Sequence, residues 1–259
     1  MQLTMPPQAA AIGGKSYIYA IVPGGSLGIE GSLGIEGKDV YLVTDGRVAA
    51  VVSGLAGSKI RPARANLSAH QAVLKRLMTE TTPLPMAFGS IAASEEAIHR
   101  ILVRNRRSFE EQLRRVGGKV EMGLRVAWNA PNIFEYFVGA DPELRAGRDR
   151  LVAAGGECTR NEKIELGRAF EHRLNEQREG HMRKVRRALT SVCAEFKVNP
   201  CRSEREVMNV ACLVRREAQE EFSAAVETAA KLFDDNFTFD YNGPWAPHNF
   251  VELELDLEK

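Results

Sequence analysis

Apolar positions recur along this chain with period two in some stretches and with helical spacing in others. Residues 16–22, Ser-Tyr-Ile-Tyr-Ala-Ile-Val, are dense in aromatic and β-branched side chains and stop at Pro23, which predicts a strand. Two β-branched runs, 40–44 and 48–53, flank Asp45-Gly46, and that dipeptide between such runs predicts a hairpin. Ser68 with Gln71 predicts a capped helix running through Met78. Ser94 predicts a second one, with Ile98, Ile101, Leu102, Phe109 and Leu113 at helical spacing. Between them 83–89, Pro-Leu-Pro-Met-Ala-Phe-Gly, is too rich in proline for a helix and suits a short edge strand.

Gly117-Gly118 predicts a domain boundary. Beyond it Val120, Met122, Leu124, Val126 and Trp128 alternate, so one face of a strand is apolar. Helical sequence follows Pro131, breaks at Gly155-Gly156, and resumes at a capping box of Thr159 and Glu162. That long helix carries Leu166, Phe170, Leu174, His181, Val185 and Leu189 as one stripe. Residues 192–198 either extend this helix or pair with 207–214 as a hairpin across Asn199-Pro200. A helix over 217–232 and a strand over 237–241 complete a β-α-β-β-α-β order. The prediction is α+β with two domains: a small N-terminal α+β domain over 16–117, and a modified ferredoxin-like domain with a long helix over 118–242. Residues 1–15 read as a disordered leader and 243–259 as a tail folding back on the protein.

Composition adds limits. No apolar run approaches the roughly 20 residues that cross a bilayer, and the start has neither the basic nor the long apolar part of a signal peptide, which predicts a cytosolic protein without a membrane partner. An exact duplication, GSLGIE over 25–30 and again over 31–36, is too short for a solenoid and reads as an insertion in a tolerant surface loop. Lys and Arg number 14 against 9 Asp and Glu through Gly117, and 21 against 25 after it. The halves thus carry about +5 and −4, which falls short of a nucleic-acid footprint.

Candidate chemistry is sparse. Ala9 to Ser16 fits a relaxed phosphate-loop pattern, but a strand follows it where a working loop opens a helix. Cys158, Cys193, Cys201 and Cys212 form no metal-type pair and read as unpaired thiols. The five histidines, 70, 99, 172, 181 and 248, are spread without ligand spacing. Arg104, Arg106, Arg107, Arg114 and Arg115, and then Arg183, Lys184, Arg186 and Arg187, form basic helix faces with no aromatic residues interleaved to stack bases; solvated faces are the expectation. No catalytic triad, zinc pattern or dinucleotide fingerprint is present, so no cofactor, metal or catalytic residue is assigned.

Residues 242–250, Asn-Gly-Pro-Trp-Ala-Pro-His-Asn-Phe, are costly to build: Gly243 permits positive φ, Pro244 and Pro247 remove donors, and Trp245 is large and apolar. Taken in order with 17–22, Asp45-Gly46, 49–53, His70, Val73-Leu74, 83–89, 119–126 and Trp128, this motif resembles the gas vesicle protein F/L family along nearly the whole chain. Departures are the GSLGIE duplication and His248, where the family commonly has an aromatic residue. The resemblance implies a non-enzymatic accessory and minor structural protein of gas vesicles, located there and in the cytoplasm. It would bind the small hydrophobic shell protein, limit its aggregation, assist nucleation, and meet other gas vesicle accessory proteins. Met86, Phe88, Trp245 and Phe250 are the candidate partner-binding residues, with packing inside the protein as the competing account. The alternatives are an enzyme or ligand-binding protein using a cleft between domains, and a nucleic-acid binder, which the lack of aromatics on 207–214 disfavours.

Overall fold

The computed structural model describes residues 14–25, 27–29, 31–57, 59–154 and 159–253. The readings made on residues 1–13, on Gly155-Gly156, on Cys158 and on the residues from 254 onward lie outside them. The chain is an α+β protein that gathers into two compact units. Unit one runs to Val120 and takes up the chain again from Pro244; unit two spans Glu121–Gly243.

In unit one, β1 (Lys15–Pro23), β2 (Val40–Thr44), β3 (Val48–Leu55) and β4 (Leu84–Pro85) form a sheet in the order β2-β3-β1-β4, and β5 (Ile91–Ala92) also pairs with β1. Every interior residue of β1 and nearly every residue of β3 is buried. Both strands therefore read as unbroken apolar runs, because helices α1 (Arg64–Leu77) and α2 (Glu95–Val116) both pack on β1. The β1–β3 register steps between Ile18↔Val52 and Ala20↔Val51, leaving Tyr19 as a bulge. The Asp45 carboxylate accepts from the backbone N–H groups of Arg47 and Val48 at 2.9 Å each and from Arg106 on α2 at 2.6 Å, which closes the β2–β3 hairpin and ties it to the helix.

Two expectations need correction here. Ser68 does not cap α1: the helix begins at Arg64, Ala63 before it makes no side-chain cap, and Ser68 lies inside the helix. Burial of His70, Val73, Leu74 and Leu77 along one stripe outweighs the missing cap. Ser94, by contrast, caps α2, accepting from the Ala97 N–H at 3.2 Å. The GSLGIE loop is also less tolerant than a free surface loop. Ile29 and Ile35, equivalent in the two copies, are both buried, whereas Leu33 is 62% exposed. Gly28 is clamped by the Arg76 guanidinium on its carbonyl and by Glu80 on its N–H. Gly34 lies so close to Tyr19 that an added Cβ would collide with its hydroxyl.

In unit two the elements are β6 (Lys119–Trp128), whose first two residues are counted in unit one, α3 (Ile133–Ala140), α4 (Pro142–Ala153), α5 (Arg160–Leu189), β7 (Cys193–Asn199), β8 (Glu206–Arg215), α6 (Gln219–Ala230) and β9 (Phe237–Trp245), whose last two residues, Pro244 and Trp245, are counted in unit one. The sheet order β7-β8-β6-β9 is that of a ferredoxin-like fold, modified by the extra helices before β7. All five alternating apolar residues of β6 are buried, as its pattern requires. The Thr159–Glu162 capping box starts α5, whose 30 residues span about 45 Å. Residues 193–199 form a strand that pairs with β8, so they do not extend α5. The final strand runs four residues beyond the 237–241 run, through Gly243 and Pro244 to Trp245. β9 is an edge strand, where a proline without an N–H need not interrupt a ladder.

Candidate functional site

The four candidate contact residues all fall in unit one but not in one environment. Met86, whose N–H donates to the Tyr19 carbonyl at 2.9 Å, continues from the two-residue strand β4 and is half-buried. Phe88 is half-buried too, Trp245 is 45% exposed, and Phe250 is 2% exposed. Phe250 closes a 3-10 turn over His248–Phe250 and serves the core of the unit; it presents no surface.

Phe88 and the tail converge on His70 of α1. The His70 ring lies 5.9 Å from Phe88, 5.8 Å from Tyr17 and 5.7 Å from Tyr19, and its Nδ1 is 2.9 Å from the Tyr17 hydroxyl. The Gly89 N–H donates to the same oxygen at 3.1 Å; with the hydroxyl donating to Nδ1, the proton of the neutral ring sits on Nε2. Burial pushes the His70 pKa down to about 4, with the His248 charge adding to it, and burial pushes Tyr17 up to about 12. Both groups are therefore neutral at physiological pH. Tyr19 joins the same network, bonding Ser53 at 2.8 Å and accepting from the Ile35 N–H at 2.7 Å.

Unit two has its own aromatic nucleus. Trp128 contacts Phe137 at 5.4 Å and Phe237 at 6.2 Å. His181 packs on Phe237 at 4.8 Å and Phe233 at 5.0 Å, and burial is the main influence lowering its pKa. Much of the basic face singled out on α5 is engaged locally. Lys184 sits 5.6 Å over Phe233, Arg186 lies 4.9 Å over Phe196, and Arg183 is 3.8 Å from Glu179. In unit one Arg106 belongs to the Asp45 hairpin. An apolar groove of about 410 Å³ lies between α5 and the β7–β8 hairpin, with Met182, Val198 and Met208 in its lining. The sequence offers no local signal for it, because its sides are brought together by folding. The same holds for the Tyr17–His70 bond, whose partners are 53 residues apart.

Among the described residues, no three His, Cys, Asp or Glu side chains gather as metal ligands, and no helix is long and apolar enough to cross a membrane. Cys193, Cys201 and Cys212 are unpaired thiols, the last fully buried.

A family model described as gas vesicle synthesis protein GvpL/GvpF matches residues 15–252. The chain is 27% identical to gas vesicle protein F of Streptomyces sp. (strain CB03234), over 92% of this chain and 100% of that relative. It is 26% identical to gas vesicle protein F of Dolichospermum flosaquae, over 92% and 98%. The crystal structure of the gas vesicle protein GvpF from Anabaena sp. PCC7120 matches with a TM-score of 0.80 at 23% identity, covering 93% of this chain and 99% of that one.

Proposed function

This chain belongs to the gas vesicle synthesis protein GvpL/GvpF family, and from that premise we propose that it is an assembly protein and not an enzyme. In this reading it binds the small hydrophobic shell protein, limits its aggregation, assists nucleation of the vesicle with other accessory proteins, and stays as a minor component. The observation that carries the reading is the family match across 15–252, nearly all of the described chain. Two features are in keeping with it. The strongly perturbed histidines sit in aromatic packing, where they act as core, and partly exposed apolar side chains at Met86, Phe88 and Trp245 offer contact area for an apolar partner. Phe250 is withdrawn from that surface because its side chain is used inside.

The test is a pull-down of the purified shell subunit by the full chain, compared with Trp245→Ala and Met86→Ser, each first shown to keep the wild-type melting curve. Weakened capture with an intact fold supports the reading. Wild-type protein that neither captures the subunit nor reduces its aggregation removes it.

A further inference from the structure

The groove in unit two has properties that packing alone leaves unused. One side is α5, with Met182 between Arg178 and Arg183; the other is Val198 on the edge strand β7, followed by Cys201 and Met208. Its volume of about 410 Å³ falls within the roughly 300–1,000 Å³ of built ligand sites. Val198 is 50% exposed, a β-branched apolar side chain in water. The shape is held in advance: the Arg178 guanidinium donates to the carbonyls of Ser203, Glu204 and Glu206 at 3.0, 3.3 and 2.9 Å, tying α5 to the loop between β7 and β8. Two methionines and a thiol make a polarisable lining that adapts to aliphatic guests. The flanking α5 segment is strongly basic, with Arg178, Arg183, Lys184, Arg186 and Arg187 against the single acid Glu179 over 178–187.

The chain itself contains a segment of complementary chemistry. Residues 254–259 are Glu-Leu-Asp-Leu-Glu-Lys: Glu254, Asp256 and Glu258 alternate with Leu255 and Leu257, and Lys259 is the single basic residue. Extended, these six residues span about 20 Å. We propose that this segment of one copy docks in the groove of a second copy, its two leucines entering the apolar lining and its carboxylates meeting the long arginine side chains on the rim. Such a contact joins two different surfaces, so copies add head to tail.

The contact is read by sedimentation velocity of the full chain over roughly 1–500 µM, the range in which a small interface dissociates. The weight-average sedimentation coefficient is expected to rise with concentration, and 0.5 M salt is expected to weaken the association several-fold. Val198→Asp and the double variant Leu255→Ser with Leu257→Ser change exposed or terminal positions, and circular dichroism checks their fold. Each alone is expected to associate at least tenfold more weakly. Mixed in equal amounts they restore one contact, since the tail of the first variant still fits the groove of the second, and a capped heterodimer appears. Three results overturn the proposal: a wild-type coefficient independent of concentration, which includes a tail held by its own chain; association that survives both changes; and a mixture that stays monomeric. None of these readouts involves the shell subunit, so they leave the assembly role to its own test.

Discussion

At position 243 glycine is required twice over. The backbone there has φ +133, a conformation that side-chain-bearing residues rarely adopt, and an added Cβ would stand 2.7 Å from the Met122 sulfur and 2.9 Å from the Glu121 carbonyl on the neighbouring strand. Gly243→Ala is therefore expected to destabilise unit two by about 2–4 kcal/mol, combining backbone strain with overpacking, seen as a lower urea midpoint at unchanged slope. His70 gives a second expectation at this scale. An unfolded histidine titrates near 6.5 and the folded ring near 4, so folding favours the neutral form. Above about pH 6.5 the group costs nothing. As pH falls toward 4 the unfolded chain takes up a proton that the folded chain refuses, and stability drops by about 3 kcal/mol in total. Urea midpoints at pH 7 and pH 5 measure this, and His70→Asn, which still accepts from Tyr17, is expected to flatten the difference. A midpoint gap of the same size in the variant would show that other groups carry the acid sensitivity.

Elements are held by a few such side chains reaching across the chain, and the β2–β3 hairpin is the clearest case. Asp45 has a side chain only 1% exposed and satisfies two turn N–H groups and the Arg106 guanidinium at once. Burial raises its pKa, but the N–H groups of Val48 and Arg47 and the Arg106 charge together hold it below the ordinary carboxylate value. Asp45→Ala leaves those donors unmatched and is expected to cost about 2–3 kcal/mol at pH 7. Its effect fades only once acid protonates the wild-type carboxylate, below the window in which His70 acts. Asp45-Gly46 was legible in the sequence because turn chemistry is local, and so were the Ser94 cap, the alternation of β6 and the capping box of α5. What was not legible depends on neighbours far away in sequence. The start of α1 carries no capping side chain, since the helix is set by what it buries. Gly243-Pro244 looks like a breaker, yet continues β9 because that strand lies at a sheet edge. Phe250 reads as a contact residue and is core, while Met182 and Val198 read as ordinary stripe residues and line a groove.

Across the whole molecule the two units each enclose a separate set of buried side chains: Tyr17, Tyr19, Leu74 and Phe109 in one, Leu124, Leu144 and Phe222 in the other. The family match spans both. Its two tryptophans also divide, with Trp128 in unit two, 3% exposed, and Trp245 in unit one, 45% exposed. In a Trp245→Phe background the fluorescence reports unit two alone. Changes at distant, unshared sites are expected to act locally. Gly243→Ala should then lower the Trp128 midpoint, whereas Asp45→Ala should leave it within about 0.5 kcal/mol and instead speed amide exchange in β1 and β3. Equal loss from both changes in both readouts would mean that the chain unfolds as one cooperative body. In that case a binding defect in any destabilised variant would report global stability, and only variants with an unshifted melting curve could test the proposed shell-protein contact at Met86 and Trp245 or the proposed self-contact at Val198.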